Sequence, residues 1–310
     1  MLDGRILVTG GAGFIGSHLV DALLGKGYKV RVLDNMSTGK VGNLPVSNAN
    51  LKLIVGDVAD SAAVKEAMRD CSAVVHLAAV ASVQASVDDP VATHQSNFVG
   101  TLNVCEQMLN AGIKRMVFAS SAAIYGNNGE GSAIDEDTPK SPLTPYASDK
   151  LSSEYYLDFY RREHGLEPVI LRFFNIFGPR QDPSSPYSGV ISIFTERAMS
   201  QKPVVIFGDG EQTRDFVYVK DLVSILVQAV ETSDPKPGAV NVGLSRSTSL
   251  NDLIAELGDA LGTPMAVTNH AARQGDIRHS RANNTRLLDR FTLAAPTSIG
   301  DGLAQLLRSL

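Results

Sequence analysis

Tryptophan is absent from the 310 residues, cysteine occurs only twice, and aromatic residues make up 6%. Cys71 and Cys105 stand far apart and outside any C-x-x-C spacing. That excludes a disulfide framework and a cysteine-based zinc site, and it suits a reducing compartment. No apolar run approaches the ~20 residues needed to cross a bilayer, so no membrane partner is expected. The short apolar run opened by Arg5 stops at Gly10 and follows no basic region, so no secretory leader is expected and the expected location is cytoplasmic. Positive charge is also scarce: 28 Lys and Arg face 33 Asp and Glu, for a net charge of −5. A nucleic-acid partner is therefore not expected. His76 has no second histidine or acid at ligand spacing, so no metal is expected and the residue reads as a core histidine or one that supports a site from behind.

What is present is the texture of an α/β protein. Runs at Arg5–Thr9, Lys29–Asp34, Leu51–Gly56, Ala73–Leu77, Arg115–Ser120 and Pro168–Phe174 read as strands, with amphipathic stretches between most of them. The alternation implies βαβ units and a parallel sheet. The runs are almost wholly apolar, as strands covered by helices on both faces require. A Rossmann-type doubly wound parallel sheet is therefore expected over residues 1–175. After Asn175, Gly178, Pro179, Pro183, Ser184, Ser185, Pro186 and Gly189 crowd together, marking a boundary. A smaller C-terminal α/β substrate domain is expected over 176–310, with part of 214–245 returning to the first domain. Its expected helices lie near 191–200, 222–231 and 250–261, and its expected strands at 204–207, 216–219 and 239–242.

Directly after the first strand comes Thr9-Gly10-Gly11-Ala12-Gly13-Phe14-Ile15-Gly16, which opens a helical pattern. Glycines at Gly10, Gly13 and Gly16 permit a tight turn that brings backbone N–H groups and a helix N-terminus against a pyrophosphate. Asp34 ends the second strand, where a carboxylate can accept from the adenosine ribose hydroxyls. Its charge would repel a 2′-phosphate, so NAD is expected rather than NADP. Asp57 and Val58, after the third strand, suit the adenine edge. Leu77, Ala78 and Ala79, after the fourth, are small enough for close approach to the cofactor; a turn role for the first pair and a packing role for the second set are the competing readings.

Tyr146 and Lys150 stand at i and i+4 of a helical pattern that follows Pro142 and Pro145, and so share a face. A free phenol titrates near 10, so a neighbouring ammonium and a nicotinamide cation would be needed to make Tyr146 a base. Ser121 ends the fifth strand at the edge where open α/β sheets bind ligands, and its hydroxyl could bridge a substrate hydroxyl and Tyr146. Ser120 competes for that role, and Ser121 is preferred.

Taken together, these residues resemble an extended short-chain dehydrogenase/reductase of the UDP-hexose 4-epimerase family, and in particular its UDP-N-acetylglucosamine 4-epimerases. The resemblance runs through Thr9–Gly16, Asp34, Asp57-Val58, His76–Ala79, Asn97–Thr101, Ser120–Gly126, Tyr146–Lys150, Arg172–Gly178, Gly208–Val219 and Arg273–Ser280, nearly the whole chain. It implies Ser121, Tyr146 and Lys150 as the catalytic set. Phe14, Ile15, Asn35 and Asn97 join the cofactor-binding residues, and Asn175, Val190, Arg214, Arg273 and Ser280 bind a UDP-sugar alongside Ser121 and Tyr146. It also implies a homodimer formed through the helical segments near 98–111 and 148–162.

Two departures direct the choice of reaction. Related sugar dehydratases place an acid shortly after the strand-five hydroxyl, whereas Ala122 and Ala123 follow Ser121 here. Ser280 occupies a position where glucose-restricted relatives carry a tyrosine, which leaves space for an N-acetyl group, unless it is an ordinary loop residue. The expected activity is NAD-dependent C4 epimerisation of UDP-GlcNAc/UDP-GalNAc, and of UDP-Glc/UDP-Gal, through a transient 4-keto sugar. Another NAD-dependent nucleotide-sugar oxidoreductase and a non-catalytic dinucleotide sensor are the rival readings.

Overall fold

The computed structural model describes residues 4–128, 131–182, 189–272 and 278–310. Arg273 and the 183–188 stretch of the expected boundary lie outside the described residues. In chain order the elements begin β1 (Arg5–Thr9), α1 (Phe14–Gly25), β2 (Lys29–Asp34), β3 (Leu51–Val55), α2 (Ser61–Ala67) and β4 (Cys71–His76). They continue with α3 (Val83–Asp88), α4 (Pro90–His94), α5 (Gly100–Asn110), β5 (Arg115–Ser121), α6 (Pro145–His164), β6 (Glu167–Phe173) and β7 (Asn175–Phe177). Then follow α7 (Val190–Met199), β8 (Val204–Phe207), β9 (Thr213–Arg214), β10 (Phe216–Tyr218), α8 (Val219–Glu231) and β11 (Val240–Val242). The last are β12 (Thr248–Ser249), α9 (Leu250–Leu261), β13 (Val267–His270), β14 (His279–Ser280), α10 (Thr285–Arg290) and α11 (Ile299–Leu307).

A seven-stranded sheet in the order β11-β6-β5-β4-β1-β2-β3 forms the backbone of a Rossmann-type α/β fold. The pairings of β1 with β2 and β4, of β2 with β3, and of β4 with β5 are parallel. Successive strand residues point to opposite faces, and both faces are dry. Leu7, Leu33, Val74, Met116 and Phe118 join Val104, Met108 and Leu157 in one core cluster. Their neighbours Ile6, Val8, Val32, Val75 and Val117 are equally buried, which is why the strands read as continuous apolar runs.

The chain divides into two compact units. The first comprises residues 1–124, 142–172 and 223–240; the second comprises 125–141, 173–222 and 241–310. The excursion 125–141 is held in the second unit by polar contacts of its own. Tyr125 donates its hydroxyl to Asn241 Oδ1 at 2.7 Å, Asn241 Nδ2 donates to the Ile134 carbonyl at 2.9 Å, and Asn241 N donates to Glu136 Oε1 at 2.8 Å.

Two arginines interrupt the apolar strands of the first unit and serve helix ends. Arg31 on β2 donates to the Ala67 and Arg69 carbonyls past the C-terminus of α2. Arg115 on β5 reaches the Val230 and Thr232 carbonyls at the end of α8 and pairs with Glu167 at 2.9 Å. A helix C-terminus leaves carbonyls without intrahelical donors and carries partial negative charge, so a buried guanidinium is matched there. Helix α6 is bounded by local chemistry: Thr144 caps it, Pro145 opens it, and Gly165 closes it at φ +68.

Candidate functional site

The Gly10–Gly16 turn is a cradle built by exclusion of side chains. A Cβ on Gly16 would lie 2.2 Å from the Gly10 carbonyl oxygen, and one on Gly10 would lie 2.8 Å from the Ala78 nitrogen. A Cβ on Gly13 would meet only the Gly10 oxygen, at 3.3 Å, so the open side of the turn is the side a methyl group would fill. Gly13 is also the N-cap of α1, and no side chain caps that helix. Its first N–H groups are left without a side-chain cap at the positive end of the helix dipole, an arrangement that fits a pyrophosphate. Phe14 and Ile15 are the first residues of α1.

Asp34 is buried at the end of β2. Oδ2 accepts from Ala12 N and Oδ1 from Met36 N, both at 2.9 Å. Each carboxylate oxygen has a second lone pair, so the group that clips the glycine turn in place retains capacity for ribose hydroxyls. Asn35 donates to Asp57 Oδ2 at 2.7 Å, and Asp57 Oδ1 accepts from Ala59 N at 2.8 Å. The Val58 carbonyl is taken by Asn103 Nδ2 at 3.0 Å. Asn97 lies in a π-helical turn, Gln95–Val99, ahead of α5. Its side chain accepts from Val80 N at 2.8 Å and donates to Val80 O at 3.1 Å, fixing the segment that follows Leu77, Ala78 and Ala79. The donor set, the uncapped helix and the buried carboxylate all fit a dinucleotide.

Tyr146 and Lys150 lie buried on one face of α6, and the Ser121 side chain at the carboxyl end of β5 is near enough to the Tyr146 phenol to pull its pKa down. Ser121 Oγ also accepts from Ala123 N at 3.2 Å. The neighbouring Ser120 is committed elsewhere: its hydroxyl donates to Glu154 Oε1 at 2.5 Å, and Glu154 is gripped by Arg172 through two bonds at 2.9 and 2.6 Å. Lys150 Nζ donates to the Ala119 carbonyl at 2.7 Å and lies 4.9 Å from the centre of the Phe118 ring and 6.0 Å from that of Tyr146. Burial lowers the Lys150 ammonium to about 8, against the opposing fields of Asp149 and Glu154. Burial raises the Tyr146 phenol, against the pull of the Ser121 side chain.

In the second unit, β14 pairs in parallel with β9, setting Ser280 opposite Arg214. Arg214 Nη1 donates to the Thr213 carbonyl at 2.9 Å. Asp215, next to it, is buried and binds the backbone N–H groups of Leu244, Ser245 and Ala282 at 2.9, 2.9 and 3.1 Å. Burial nonetheless raises its carboxyl above the usual range. Asn175, on β7, donates its side-chain amide to the Asp215 carbonyl at 3.3 Å, and Val190 is the first residue of α7.

Residues 6–243 match the NAD dependent epimerase/dehydratase family. The chain belongs to that family. NAD is accordingly its cofactor. A putative UDP-glucose 4-epimerase of Methanocaldococcus jannaschii is 39% identical over 88% of this chain and 87% of its own. Among solved structures, UDP-N-acetylglucosamine 4-epimerase from Methanobrevibacter ruminantium M1, in complex with UDP-N-acetylmuramic acid, superposes with a TM-score of 0.93 at 39% identity over 100% of this chain and 98% of that one. UDP-glucose 4-epimerase from Thermotoga maritima with UDP-glucose gives a TM-score of 0.92 at 39% identity, covering 98% of each chain. No described helix is long and apolar enough to cross a membrane.

Sequence reasoning gave no role to Thr9, Thr101, Asn103, Glu154 or Arg172, although Thr9, Thr101 and Arg172 lie within stretches that carry the resemblance. Thr9 Oγ1 accepts from Leu77 N and Ala78 N, both at 3.2 Å. The only advance signal for Glu154 was its place four residues beyond Lys150 on the face already carrying Tyr146.

Proposed function

We propose that the chain inverts C4 of a UDP-hexose, with Tyr146 as the proton-transferring group and UDP-GlcNAc/UDP-GalNAc as the preferred pair, UDP-Glc/UDP-Gal being turned over alongside. The observation that carries the reading is the burial of Tyr146 and Lys150 on one face of α6, with the Ser121 side chain near enough to pull the phenol's pKa down. When bound, NAD supplies reversible removal and return of hydrogen at C4 and places positive charge beside the phenol.

Tyr146 Oη takes the proton of the sugar 4-hydroxyl, and Ser121 Oγ holds that hydroxyl toward it. With its ammonium lowered to about 8, Lys150 is still charged by about tenfold over amine at pH 7, and that charge favours the phenolate against burial. The 4-keto sugar turns about its link to the diphosphate and recovers its proton from Tyr146 with the opposite face presented. Arg214, Arg273 and Asn175 anchor the diphosphate during the turn; a planar guanidinium suits that anionic group. Ala122 and Ala123 give the site no acid for dehydration. Ser280, small and half-buried, is the residue we assign to N-acetyl tolerance. The exposed Tyr155, Tyr156 and Phe159 of α6 favour a homodimer through α5 and α6, and the working location is cytoplasmic.

Incubation with each UDP-sugar and identification of products by NMR tests the reaction. Tyr146→Phe is expected to abolish epimerisation while UDP-sugar binding persists; normal turnover by that variant would remove the assigned base. Ser280→Tyr is expected to depress the N-acetylated reaction selectively, and an equal loss on both sugar pairs would sink the space-filling account.

A further inference from the structure

His76 is fully buried at the end of β4, between Thr9 on β1 and Thr101 on α5. Its Nδ1 lies 2.7 Å from Thr9 Oγ1 and its Nε2 lies 3.1 Å from Thr101 Oγ1. The neighbours of the two hydroxyls decide where every proton sits. Thr101 Oγ1 lies 2.6 Å from the Asn97 carbonyl oxygen, which can only accept, so the single Thr101 proton is spent there. Nε2 must then be the donor to Thr101. Thr9 Oγ1 receives the N–H groups of Leu77 and Ala78, which can only donate, so its own proton is free for Nδ1. The two ends of the chain thus agree on one tautomer.

We infer that His76 is a positioning residue, locked as the neutral Nε2–H tautomer, whose one-directional hydrogen-bond chain fixes the Leu77–Val80 rim of the dinucleotide site. The chain runs from the Leu77 and Ala78 amides through Thr9, His76 and Thr101 to the carbonyl of Asn97, whose side chain closes on both backbone groups of Val80. It therefore grips the rim at both ends. It also holds Ala78 against Gly10, where a Cβ would come within 2.8 Å. The opposite tautomer would set Nδ1–H against a hydroxyl already taking two donors and turn the Nε2 lone pair toward the Thr101 oxygen. An imidazolium would orphan the Thr9 proton and face the charge of Lys150, while the Phe118 ring, 5.9 Å away, offers no compensating acid.

The role rests on NAD occupying this site; the tautomer does not. In histidine-labelled protein, the ¹⁵N spectrum of His76, assigned by its absence in His76→Gln, is expected to show a pyrrole-type Nε2 and a pyridine-type Nδ1, unchanged from pH 5 to 9. The reverse pattern, or conversion to imidazolium in that range, overturns the lock. Thr9→Val and Thr101→Val keep side-chain shape and remove the hydroxyl. Each is expected to speed NAD release by about tenfold, the size of one orphaned buried polar group, and Thr101→Ser is expected to restore slow release. Release as slow in both valine variants as in the wild type overturns the positioning role. Wild-type protein that fails to bind NAD overturns the cofactor reading and the role with it, a separate result. Should the valine variants not fold, the wild-type spectrum still decides the tautomer.

Discussion

Two buried polar networks in the first unit hold different strand ends by opposite means. Thr9, His76, Thr101 and Asn97 carry no net charge, and each hydroxyl and ring nitrogen has one permitted direction. Ser120 and Arg172 converge on Glu154, and both charged side chains of the ion pair are 7% exposed. The neutral network tolerates no change in proton count. The charged one tolerates loss of Glu154 poorly, because the buried Arg172 guanidinium then keeps its charge without the carboxylate that balances it. One fixes the rim beside the glycine turn; the other fixes the carboxyl end of β5, where Ser121 meets Tyr146.

The largest expected difference follows from that asymmetry. Glu154→Ala removes the carboxylate that balances the buried Arg172 guanidinium and is expected to cost about 3–5 kcal/mol, read as a fall in the urea midpoint at pH 7. Replacing both Glu154 and Arg172 with apolar residues of matching volume should recover much of that loss, since a buried ion pair offers little net stability over well-packed hydrophobes. A loss of under about 1 kcal/mol for Glu154→Ala, typical of exposed pairs, would mean that the pair is open to water.

Acid separates the networks next. Burial first, and the field of Lys150 second, lower His76 from 6.5 to about 3. Between those values the unfolded chain binds a proton that the folded chain refuses, so the contribution is intact above pH 6.5 and shrinks as pH falls. The decline is expected to be about 1.4 kcal/mol per pH unit. Urea midpoints measured from pH 7 to 4 should show this slope in the wild type and a shallower one in His76→Gln; identical slopes would mean that His76 takes up a proton inside the fold.

What the sequence disclosed of these arrangements depended on the reach of each signal. The glycine turn, Asp34 and the Tyr146–Lys150 pair were legible because their spacing is local: a turn, a strand end and one helical turn. The apolar strands were legible because both sheet faces are covered. The Thr9–His76 contact joins positions 67 residues apart, and no periodicity announces it, so His76 read as a core histidine or one supporting a site from behind, with no partner named. The π-helical turn that presents Asn97 also has no sequence signature, and the segment near 98–111 read as one plain helix. Arg31 and Arg115 broke the strand pattern without showing that helix ends lay above them. The two-residue strands β9 and β14, which set Ser280 opposite Arg214, are too short for any pattern to register. Ser120 and Ser121 could be told apart only by the alternation of a strand whose neighbours are known, since one hydroxyl turns to Glu154 and the other to Tyr146.

The smallest effect tests whether either network depends on how α6 begins. Thr144 Oγ1 accepts from Ala147 N at 3.4 Å, a long bond for an N-cap, and Pro145 already presets the first helical residue. Thr144→Ala is expected to cost about 1 kcal/mol, within the ordinary range for a lost cap, and to leave kcat within about twofold, because Lys150 and Glu154, on the helix that carries Tyr146, are each tied to β5 independently of the cap. A stability loss with an unchanged rate would place control of the reacting geometry in the buried networks. A rate that falls tenfold or more would move that control to the helix start, since a phenol one residue inside α6 is the first group a frayed turn would carry away.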